Sequence, residues 1–330
     1  MMAMNGHRRP PILDVRGLTV RFGGVVAVDD VTFVADKGEI LGLVGPNGAG
    51  KTTVFDALCG FVSSTGRIFL DGEEISDLSP EQRSKARLGR SFQDARLFPS
   101  LTVSEALAIA FERHMRNQGV VSTALSMPWV RTEERHVSNR VNELIDLMGL
   151  GAFRDKFVSE LSTGSRRIVD LAAIIAHDPL VLLLDEPSSG IAQREAEALG
   201  PLLMKIRGET GTTILVIEHD MPLLKSISDE ILALETGAVL ANGEPDEVLE
   251  DPRLVAAYLG TNQAVVERSG ATTAAPAAIA VEDEPTEQVW ASEGQAQGQA
   301  IPANGNKAPI RKAPARKRPL SAKKAPPRKR

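Results

Sequence analysis

A glycine-rich segment, Gly45–Thr53, has the spacing of a loop that binds phosphate groups. Its sequence, Gly-Pro-Asn-Gly-Ala-Gly-Lys-Thr-Thr, fits the pattern G-x-x-x-x-G-K-S/T. Glycines allow backbone N–H groups to turn inward around phosphate oxygens, and the positive end of a following helix points at the same place. The positions expected to contact phosphate are Gly45, Asn47, Gly48, Gly50, Lys51, Thr52 and Thr53.

The side chains at the end of this segment define its chemistry. Lys51 can place its ammonium group on the β- and γ-phosphates of a nucleotide, and the Thr52 hydroxyl can bind Mg²⁺. A glycine-rich turn without a ligand is the alternative. It is disfavoured because an apolar run, Ile40–Val44, precedes the segment and a predicted helix, Lys51–Cys59, follows it.

Two adjacent carboxylates, Asp185 and Glu186, follow the apolar run Leu180–Leu184. A buried strand would deliver both groups to one end of a sheet. There, Asp185 is predicted to hold Mg²⁺ directly or through water, and Glu186 to act as the general base or to orient the attacking water. Without the phosphate-binding loop, the same pair would be interpreted as the cap of the next helix.

Three other residues are candidates for the site only because the chain also contains these motifs. His219 follows an apolar run and is expected to reach the γ-phosphate, although a surface histidine that caps a helix is the alternative. The Gln93 amide is a candidate contact of Mg²⁺ or the attacking water, whereas an isolated glutamine in a loop carries no signal. Phe22, beside Gly23, is a candidate stacking face for adenine or a packed residue of a strand core.

Short apolar runs alternate with helical spacing through most of the chain, which is typical of an α/β fold. The predicted strands are Ile12–Arg21, Val25–Ala35, Ile40–Val44, Arg67–Leu70, Leu180–Leu184, Thr212–Ile217, Ile231–Leu234 and Ala238–Leu240. Helical spacing between Thr102 and Met148 interrupts the alternation and indicates an inserted α-helical subdomain at about residues 100–165. The other predicted helices include Lys51–Cys59, Gln193–Arg207, Met221–Ile227, Pro245–Leu249 and Arg253–Leu259. We therefore predict a P-loop NTPase core with a β-rich N-terminal subdomain.

The composition is that of an ordinary globular protein. Hydrophobic residues make up 42% of the 330 residues, and no apolar run approaches the roughly 18 residues that a membrane-spanning helix needs. The single cysteine, Cys59, allows no internal disulfide and fits a reducing compartment. No apolar stretch of a secretory signal follows the polar, basic N-terminus. We expect a cytoplasmic protein that reaches a membrane through a partner.

Residues 261–330 differ in composition from residues 12–260, which contain the motifs. They are rich in Ala, Pro, Gly and Gln, with Trp290 as their one aromatic residue, and such a composition predicts disorder. Residues 301–330 carry eleven Lys or Arg and no acidic residue, although the whole chain has a net charge of −5. The tail is expected to be a solvated extension or to lie on an anionic membrane surface. Nucleic-acid binding is disfavoured, because a single aromatic residue offers little base stacking.

The order of the motifs resembles that of the ATP-binding subunits of ABC transporters. The segment Leu161–Ser165, here called the LSTGS segment, lies between the phosphate-binding loop and the two carboxylates. Kinases and GTPases lack such a segment at that place. The resemblance covers about residues 12–260. More narrowly, the chain is similar to the branched-chain amino-acid type of these ATPases in Arg21–Gly24, Arg90–Pro99, Ile217–Met221 and Ala256–Gly260.

The resemblance implies an ATPase that works as a pair of such domains, identical or paralogous. Two ATP molecules would lie between them, each held by the phosphate-binding loop of one chain and by Ser162, Gly164 and Ser165 of the other. It also implies a transmembrane permease docked near Gln93, and a position on the inner face of the cell membrane. Amino acids or related small polar solutes are the expected cargo, delivered by a solute-binding protein outside the membrane.

The chain departs from the common pattern of this family at three positions. Thr163 and Ser165 replace the first glycine and the glutamine of Leu-Ser-Gly-Gly-Gln, while Ser162 and Gly164 are kept. In a later loop, Ala192 stands where the family often has Asp or Asn. We therefore expect ATP binding to be normal and the coupling between the two sites to be altered.

Two other functions fit the same motifs. An exporter subunit, for example for lipid, would differ in its permease, and a non-transport ABC ATPase would act on nucleic acid or ribosomes. The second class usually carries two ATPase units or long coiled coils, whereas this chain has one unit and no heptad run. Salt-sensitive nucleic-acid binding that stimulates hydrolysis would favour that class.

Overall fold

The described part of the chain contains two sheets and the helices that cover them. A computed structural model describes residues 11–92, 97–111, 128–191 and 193–259, with the backbone alone at 128–134 and 193–194. All of these residues belong to the first of the two units into which the chain divides, Met1–Thr272. Gln93, Ala192 and the tail at 261–330 lie outside the described residues.

Strands near the N-terminus form an antiparallel sheet. They are β1 (Pro11–Phe22), β2 (Val25–Asp36), β4 (Ser64–Leu70) and β5 (Glu73–Glu74), in the order β2-β1-β4-β5. In β1, Val15 and Val20 are fully buried whereas Arg16 and Arg21 are exposed. One face of this sheet therefore packs on the core and the other meets solvent.

A second, mainly parallel sheet forms the centre of the described chain. Its strands are β3 (Ile40–Val44), β6 (Leu88–Arg90), β7 (Val181–Asp185), β8 (Thr213–Ile217), β9 (Glu230–Glu235) and β10 (Ala238–Gly243), in the order β10-β9-β3-β8-β7-β6. Every residue of β3, β7 and β8 is buried, as expected for parallel strands covered on both faces. Because β3, β7 and β8 run in the same direction, their carboxyl ends meet at one edge of the sheet.

Helices connect these strands. Those of the described residues are α1 (Lys51–Cys59), α2 (Pro80–Lys85), α3 (Val103–Phe111), α4 (Pro128–Leu147), α5 (Thr163–Ile175), α6 (Gln193–Thr210), α7 (Met221–Ile227), α8 (Pro245–Leu249) and α9 (residues 252–259). Ser79 caps α2 and forms a capping box with Gln82. Within the described residues, no helix has both the length and the apolar character to cross a bilayer.

Two hydrophobic clusters cover the two faces of the central sheet. Alternate residues of β3 divide between them, because successive side chains of a strand point to opposite faces. Ile40 and Val44 pack with apolar residues of α3, α4, α5, α6 and α7. Leu41 and Leu43 pack with α1 and the N-terminal sheet. The edge that carries the motifs is therefore supported from both sides.

The predicted elements agree with the structure except at some of their ends. The strand predicted from Arg67 begins at Ser64, and the helix predicted to end at Arg207 continues to Thr210. The strand before the two carboxylates includes Asp185 as its last residue. The sequence pattern does not indicate β6, because three residues are too few for a period. Helices α3 and α4 lie within the predicted insert, and the division of the chain at residue 260 stays a prediction.

Candidate active site

The Gly45–Thr53 segment forms a tight loop between β3 and α1. Gly45 and Gly50 have φ angles of 149° and 99°. A Cβ atom at Gly45 would lie 2.2 Å from the carbonyl oxygen of Leu234, and one at Gly50 would lie 2.6 Å from that of Ala27. The loop therefore requires glycine at both positions, for its backbone angles and for its close contacts with neighbouring strands.

Lys51 is the first residue of α1, and its side chain turns back into the loop. Its side chain is buried, and its ammonium group donates to the carbonyl oxygens of Gly45 at 2.6 Å and Pro46 at 3.2 Å. Burial lowers the pKa of Lys51, while the negative charges of Glu186 and Asp185 raise it. The cation is therefore within electrostatic reach of both carboxylates.

The remaining predicted residues of the loop are accessible. Asn47, Gly48 and Thr52 are exposed, and Thr53 is half-buried. Gly50 is the N-cap of α1, and this helix has no side-chain cap for its first N–H groups. A helix N-terminus without a cap presents N–H donors and positive charge to an anion. The geometry of the loop thus suits a phosphate group.

Asp185, at the end of β7, is a buried carboxylate, and one of its two oxygens contacts Arg90. Its Oδ2 lies 3.4 Å from Nη2 of Arg90, and its Oδ1 has no hydrogen-bond partner among the described residues. Burial raises the pKa of Asp185, and the Arg90 guanidinium lowers it. A buried carboxylate oxygen without a partner costs free energy, which a bound cation would offset.

Glu186 and His219 form a pair at the same edge of the sheet. Glu186 Oε1 and His219 Nε2 lie 3.0 Å apart. The two residues meet because each follows one of two adjacent strands, in which Asp185 is paired with Ile217. Glu186 has a φ of 49°, and its N–H donates to the carbonyl oxygen of Ile217 at 2.9 Å. Left-handed backbone at a non-glycine residue is strained and is concentrated at functional sites.

The loop that follows these carboxylates, Pro187–Ile191, is held from two sides. Glu218, at the end of β8, is 2% exposed and accepts hydrogen bonds from the N–H and the hydroxyl of Ser188, both at 2.7 Å. Arg167 of α5 donates to the carbonyl oxygens of Pro187, at 3.1 Å, and Ser189. The loop therefore connects the catalytic edge to the helix that the LSTGS segment begins.

Within the LSTGS segment, Ser162 is the N-cap of α5. Its Oγ accepts a hydrogen bond from the Ser165 N–H at 3.1 Å and donates to Glu195 Oε1 at 2.9 Å. Gly164 is buried, and a Cβ atom there would lie 2.0 Å from Glu195 Oε2. The residues predicted to contact phosphate therefore face a carboxylate of their own chain.

Known proteins share these motifs over the same length of chain. The sequence profile of the family described as ABC transporter matches residues 28–189. The high-affinity branched-chain amino acid transport ATP-binding protein BraF of Pseudomonas aeruginosa is 39% identical over 251 residues, 76% of this chain and 98% of BraF. The chain belongs to the ATP-binding subunits of ABC transporters. LivG of Escherichia coli strain K12 is likewise described as a high-affinity branched-chain amino acid transport ATP-binding protein. It is 38% identical over 251 residues, which are 76% of this chain and 98% of LivG.

Solved ABC structures have the same fold. The ADP conformation of MJ1267, an ATP-binding cassette of an ABC transporter, aligns with a TM-score of 0.65 and 25% identity over 76% of this chain and 99% of that one. CbiO1 of Clostridium perfringens, part of an ABC transporter complex, aligns with a TM-score of 0.64 and 25% identity over 78% and 99%. The predicted α/β fold is therefore confirmed, and the chain is an ATPase of this family.

Mg²⁺ fits the donors at the catalytic edge. Among the described residues, no group of three or more His, Cys, Asp or Glu side chains could hold a metal ion by itself. Mg²⁺ takes one or two protein oxygens together with waters and phosphate oxygens. The Oδ1 of Asp185, which has no hydrogen-bond partner in the described part of the chain, and the accessible hydroxyl of Thr52 are suitable protein ligands of this kind.

Phe22, the candidate for adenine stacking, lies at the end of β1 and is 52% exposed. It does not pack in the strand core, so its ring is free to stack on a flat ligand. Strand β2, which pairs with β1, passes close to the phosphate-binding loop, because Ala27 contacts the Gly50 position. Gln93 and Ala192 lie outside the described residues, and their roles stay predictions.

The structure adds site residues that carry no signal of their own in the sequence. Arg90 contacts Asp185, and Tyr258 accepts a hydrogen bond from the Gly45 N–H at 2.9 Å. Each comes from an element distant in sequence from the motif that it supports, so only the fold brings them together. The signal available for Arg90 and Tyr258 is their place in two of the stretches that resemble the branched-chain amino-acid type. Glu218 has the same signal, because it lies within Ile217–Met221, whereas Glu195 lies in none of these stretches.

Proposed function

We propose that this chain and a second ATPase chain, identical or paralogous, hold two ATP molecules between them and hydrolyse them to drive import through a permease. The observation that carries the proposal is the convergence of Lys51, Asp185 and the Glu186–His219 pair at one edge of the central sheet. The proposed cargo is branched-chain amino acids or related small polar solutes. The names of the relatives BraF and LivG support this cargo.

Each residue at this edge has a proposed role. Lys51 exchanges its carbonyl partners in the loop for β- and γ-phosphate oxygens, whose negative charge compensates a buried ammonium group better. Glu186 accepts a proton from water or orients it in line with the leaving group, while His219 holds Glu186 and contacts the γ-phosphate. Bound Mg²⁺ supplies positive charge to the phosphate oxygens. Its proposed protein ligands are Thr52, Gln93 and Asp185.

The second chain completes each proposed site. Ser162, Gly164 and Ser165, at the start of α5, would contact the γ-phosphate of the nucleotide on the opposite phosphate-binding loop. A helix N-terminus offers convergent N–H groups and positive charge to an anion, which supports this assignment. Phe22 would stack on the adenine ring.

The same family membership supports the proposed transport partners. We assign the ATPase unit to residues 12–260, on the inner face of the cell membrane and bound to transmembrane permease subunits near Gln93. A solute-binding protein outside the membrane would deliver the solute. The tail at 261–330 is assigned to solvent, or its basic segment at 301–330 to the anionic membrane surface.

The substitution Glu186→Gln tests the hydrolysis site. It removes the base and keeps the size of the side chain, so we expect ATP binding to persist while the hydrolysis rate falls about 100-fold or more. The measurements are nucleotide binding by equilibrium fluorescence and phosphate release. Glu209→Gln, an exposed position at the end of α6, is the matched control and keeps the wild-type rate. Wild-type hydrolysis by Glu186→Gln would show that Glu186 does not act as proposed.

Uptake by cells tests the cargo. A strain that lacks the chain is expected to lose uptake of labelled leucine, isoleucine and valine, and to regain it with the wild-type chain but not with Glu186→Gln. Unchanged amino-acid uptake with a defect in lipid export would favour the exporter. Nucleic-acid-stimulated hydrolysis would favour the non-transport ATPase.

A further inference from the structure

Glu195 covers the part of α5 that the proposed function assigns to phosphate. It is a half-buried residue in the first turn of α6. Its Oε1 lies 2.9 Å from the Ser162 Oγ. A Cβ atom built on Gly164 would lie 2.0 Å from its Oε2 and 2.4 Å from its Cδ. The carboxylate therefore lies across the first turn of α5, from the hydroxyl of Ser162 to the bare Cα of Gly164.

The Ser162 hydroxyl has one proton to donate, and the stronger of the two acceptors within its reach is the Glu195 carboxylate. The Ser162 oxygen accepts a hydrogen bond from the Ser165 N–H at 3.1 Å, and the Ser165 Oγ, 3.0 Å away, is the other acceptor within reach of the Ser162 hydroxyl. An ionised carboxylate has no proton to donate, so the proton between Ser162 and Glu195 belongs to Ser162. A phosphate oxygen is also an acceptor. Ser162 therefore cannot donate to Glu195 and to a γ-phosphate at the same time.

The charges compete in the same way as the hydrogen bonds. The N-terminus of α5 favours an anion near its first turn. In this structure, the Glu195 carboxylate supplies that anion. A γ-phosphate arriving at the same turn would be repelled by the carboxylate, and this repulsion is strong where water is excluded between two chains. One of the two anions has to leave.

A cavity beside Glu195 gives the carboxylate room to move. It has a volume of about 330 Å³, and Gly164, Glu195, Arg167 and Lys205 are among the residues that line it. Asp170 and Asp185 also line it, so a carboxylate that rotates inward would turn toward the side of the cavity that carries Arg167 and Lys205. Rotation of a partly exposed side chain takes picoseconds to nanoseconds and is no barrier to turnover.

The geometry points to Glu195 as a positioning residue that acts through Ser162, and this inference rests on the proposed two-chain site. Glu195 occupies the first turn of α5 in the free chain, and the γ-phosphate held by the partner chain displaces it. Its carboxylate therefore raises the ATP concentration at which two chains pair. The free subunit is protected in this way from pairing at low ATP.

The experiment compares chains that bind ATP without hydrolysing it. In the full-length Glu186→Gln background, sedimentation velocity at increasing MgATP measures the fraction of paired chains. Glu195→Gln keeps the length of the side chain and an acceptor oxygen but removes the charge, so we expect pairing at about tenfold lower ATP. Glu209→Gln, which removes a charge from the exposed end of the same helix, is expected to leave the pairing curve unchanged. Thermal unfolding establishes that both chains are folded.

The outcomes separate Glu195 from the proposed site itself. Pairing of Glu195→Gln at the same or higher ATP than its background would overturn the displacement by phosphate while leaving the two-chain site intact. Failure of the background, the control and Glu195→Gln to pair at any ATP concentration would overturn the two-chain site, and the role of Glu195 with it. If Glu195→Gln paired while the background and the control did not, the result would support both the two-chain site and the displacement of Glu195 by phosphate.

Discussion

Arg90 is a buried cation that joins the helix after the phosphate-binding loop to the metal-ligand candidate Asp185. Its side chain is 9% exposed, Nη1 donates to Asp56 Oδ1 of α1 at 2.6 Å, and Nη2 lies 3.4 Å from Asp185 Oδ2. Three aromatic rings lie around the guanidinium, with centroids 5.9, 5.7 and 5.8 Å from its Cζ: Phe55, Phe61 and Phe92. A planar, forked cation can contact two carboxylates and aromatic rings at once, which a lysine cannot.

The substitution Arg90→Lys is therefore expected to disturb the catalytic edge. The ammonium group cannot hold both carboxylates, so Asp185 loses its fixed orientation and the hydrolysis rate falls about tenfold or more. The Mg²⁺ concentration for half-maximal rate is expected to rise with it, because Asp185 is the proposed ligand. Phosphate release across a Mg²⁺ titration measures both effects.

An arginine near the start of β6 provides the control for this prediction. Arg87 is exposed and pairs with Asp178 at 2.8 Å, away from both carboxylates of the site. Arg87→Lys is expected to keep the wild-type rate and the wild-type Mg²⁺ dependence. If Arg90→Lys behaved like Arg87→Lys, the contact with Asp185 would have no part in orienting it.

At the scale of elements, α9 reaches back from the end of the described chain to its first motif. Tyr258 of α9 accepts a hydrogen bond from the Gly45 N–H at 2.9 Å, and burial raises the pKa of this tyrosine. Gly45 is the point where β3 gives way to the phosphate-binding loop. The hydroxyl therefore fixes one end of the loop at a backbone group that has no partner within the strand itself.

The substitution Tyr258→Phe tests the contact between α9 and the loop. It removes the hydroxyl oxygen that accepts the hydrogen bond from the Gly45 N–H. Loss of this hydrogen bond is expected to cost about 1 kcal/mol of stability. We expect the KM for ATP to rise about fivefold with a smaller change in kcat, because the loop becomes less ordered before nucleotide binds. Val255→Ala, at an exposed position of the same helix, should leave the KM unchanged. A lower melting temperature with an unaltered KM would assign Tyr258 to packing alone.

At the scale of the whole molecule, a buried carboxylate links stability to pH. Glu39 lies before β3, at the opposite end of the strand from the phosphate-binding loop, and is 7% exposed. The pKa of Glu39 is raised to about 7, chiefly by burial; the hydrogen bond from the Asp36 N–H opposes this rise, and the negative charges of Glu230, Asp36 and Asp229 add to it. The folded chain therefore binds a proton there more tightly than an ordinary glutamate, whose value is 4.5.

This shift fixes the sign of the pH dependence. The folded state is favoured while Glu39 is protonated, so its contribution to the free energy of unfolding is lost as pH rises from 4.5 to about 7. Glu39→Gln removes the buried charge and is expected to stabilise the chain at alkaline pH by on the order of 2 kcal/mol. Urea unfolding at about pH 5 and about pH 8.5 measures the difference, and an equal change at both would contradict it.

The sequence by itself determined the parts of the site that are contiguous in the chain. The phosphate-binding loop needs glycines and a lysine at fixed spacing, because its atoms all bind one group of phosphates. The ends of β7 and β8 were predictable for a related reason. Apolar runs that end in polar residues become buried parallel strands, and the carboxyl ends of such strands meet at one edge. The candidate residues Lys51, Asp185, Glu186 and His219 follow from this local pattern.

Only the tertiary structure decided which residues support that edge. Arg90, Glu195 and Tyr258 act through partners on other elements, and their side chains are ordinary choices for their own strand or helices. The contacts of Glu195 with Ser162 and Gly164 depend on how α6 packs against the start of α5, which no local period encodes. The local structure of the LSTGS segment and its surroundings therefore have different origins. Its sequence determined a capped helix start suited to phosphate, whereas the packing of α6 decided that a carboxylate lies there in the free chain.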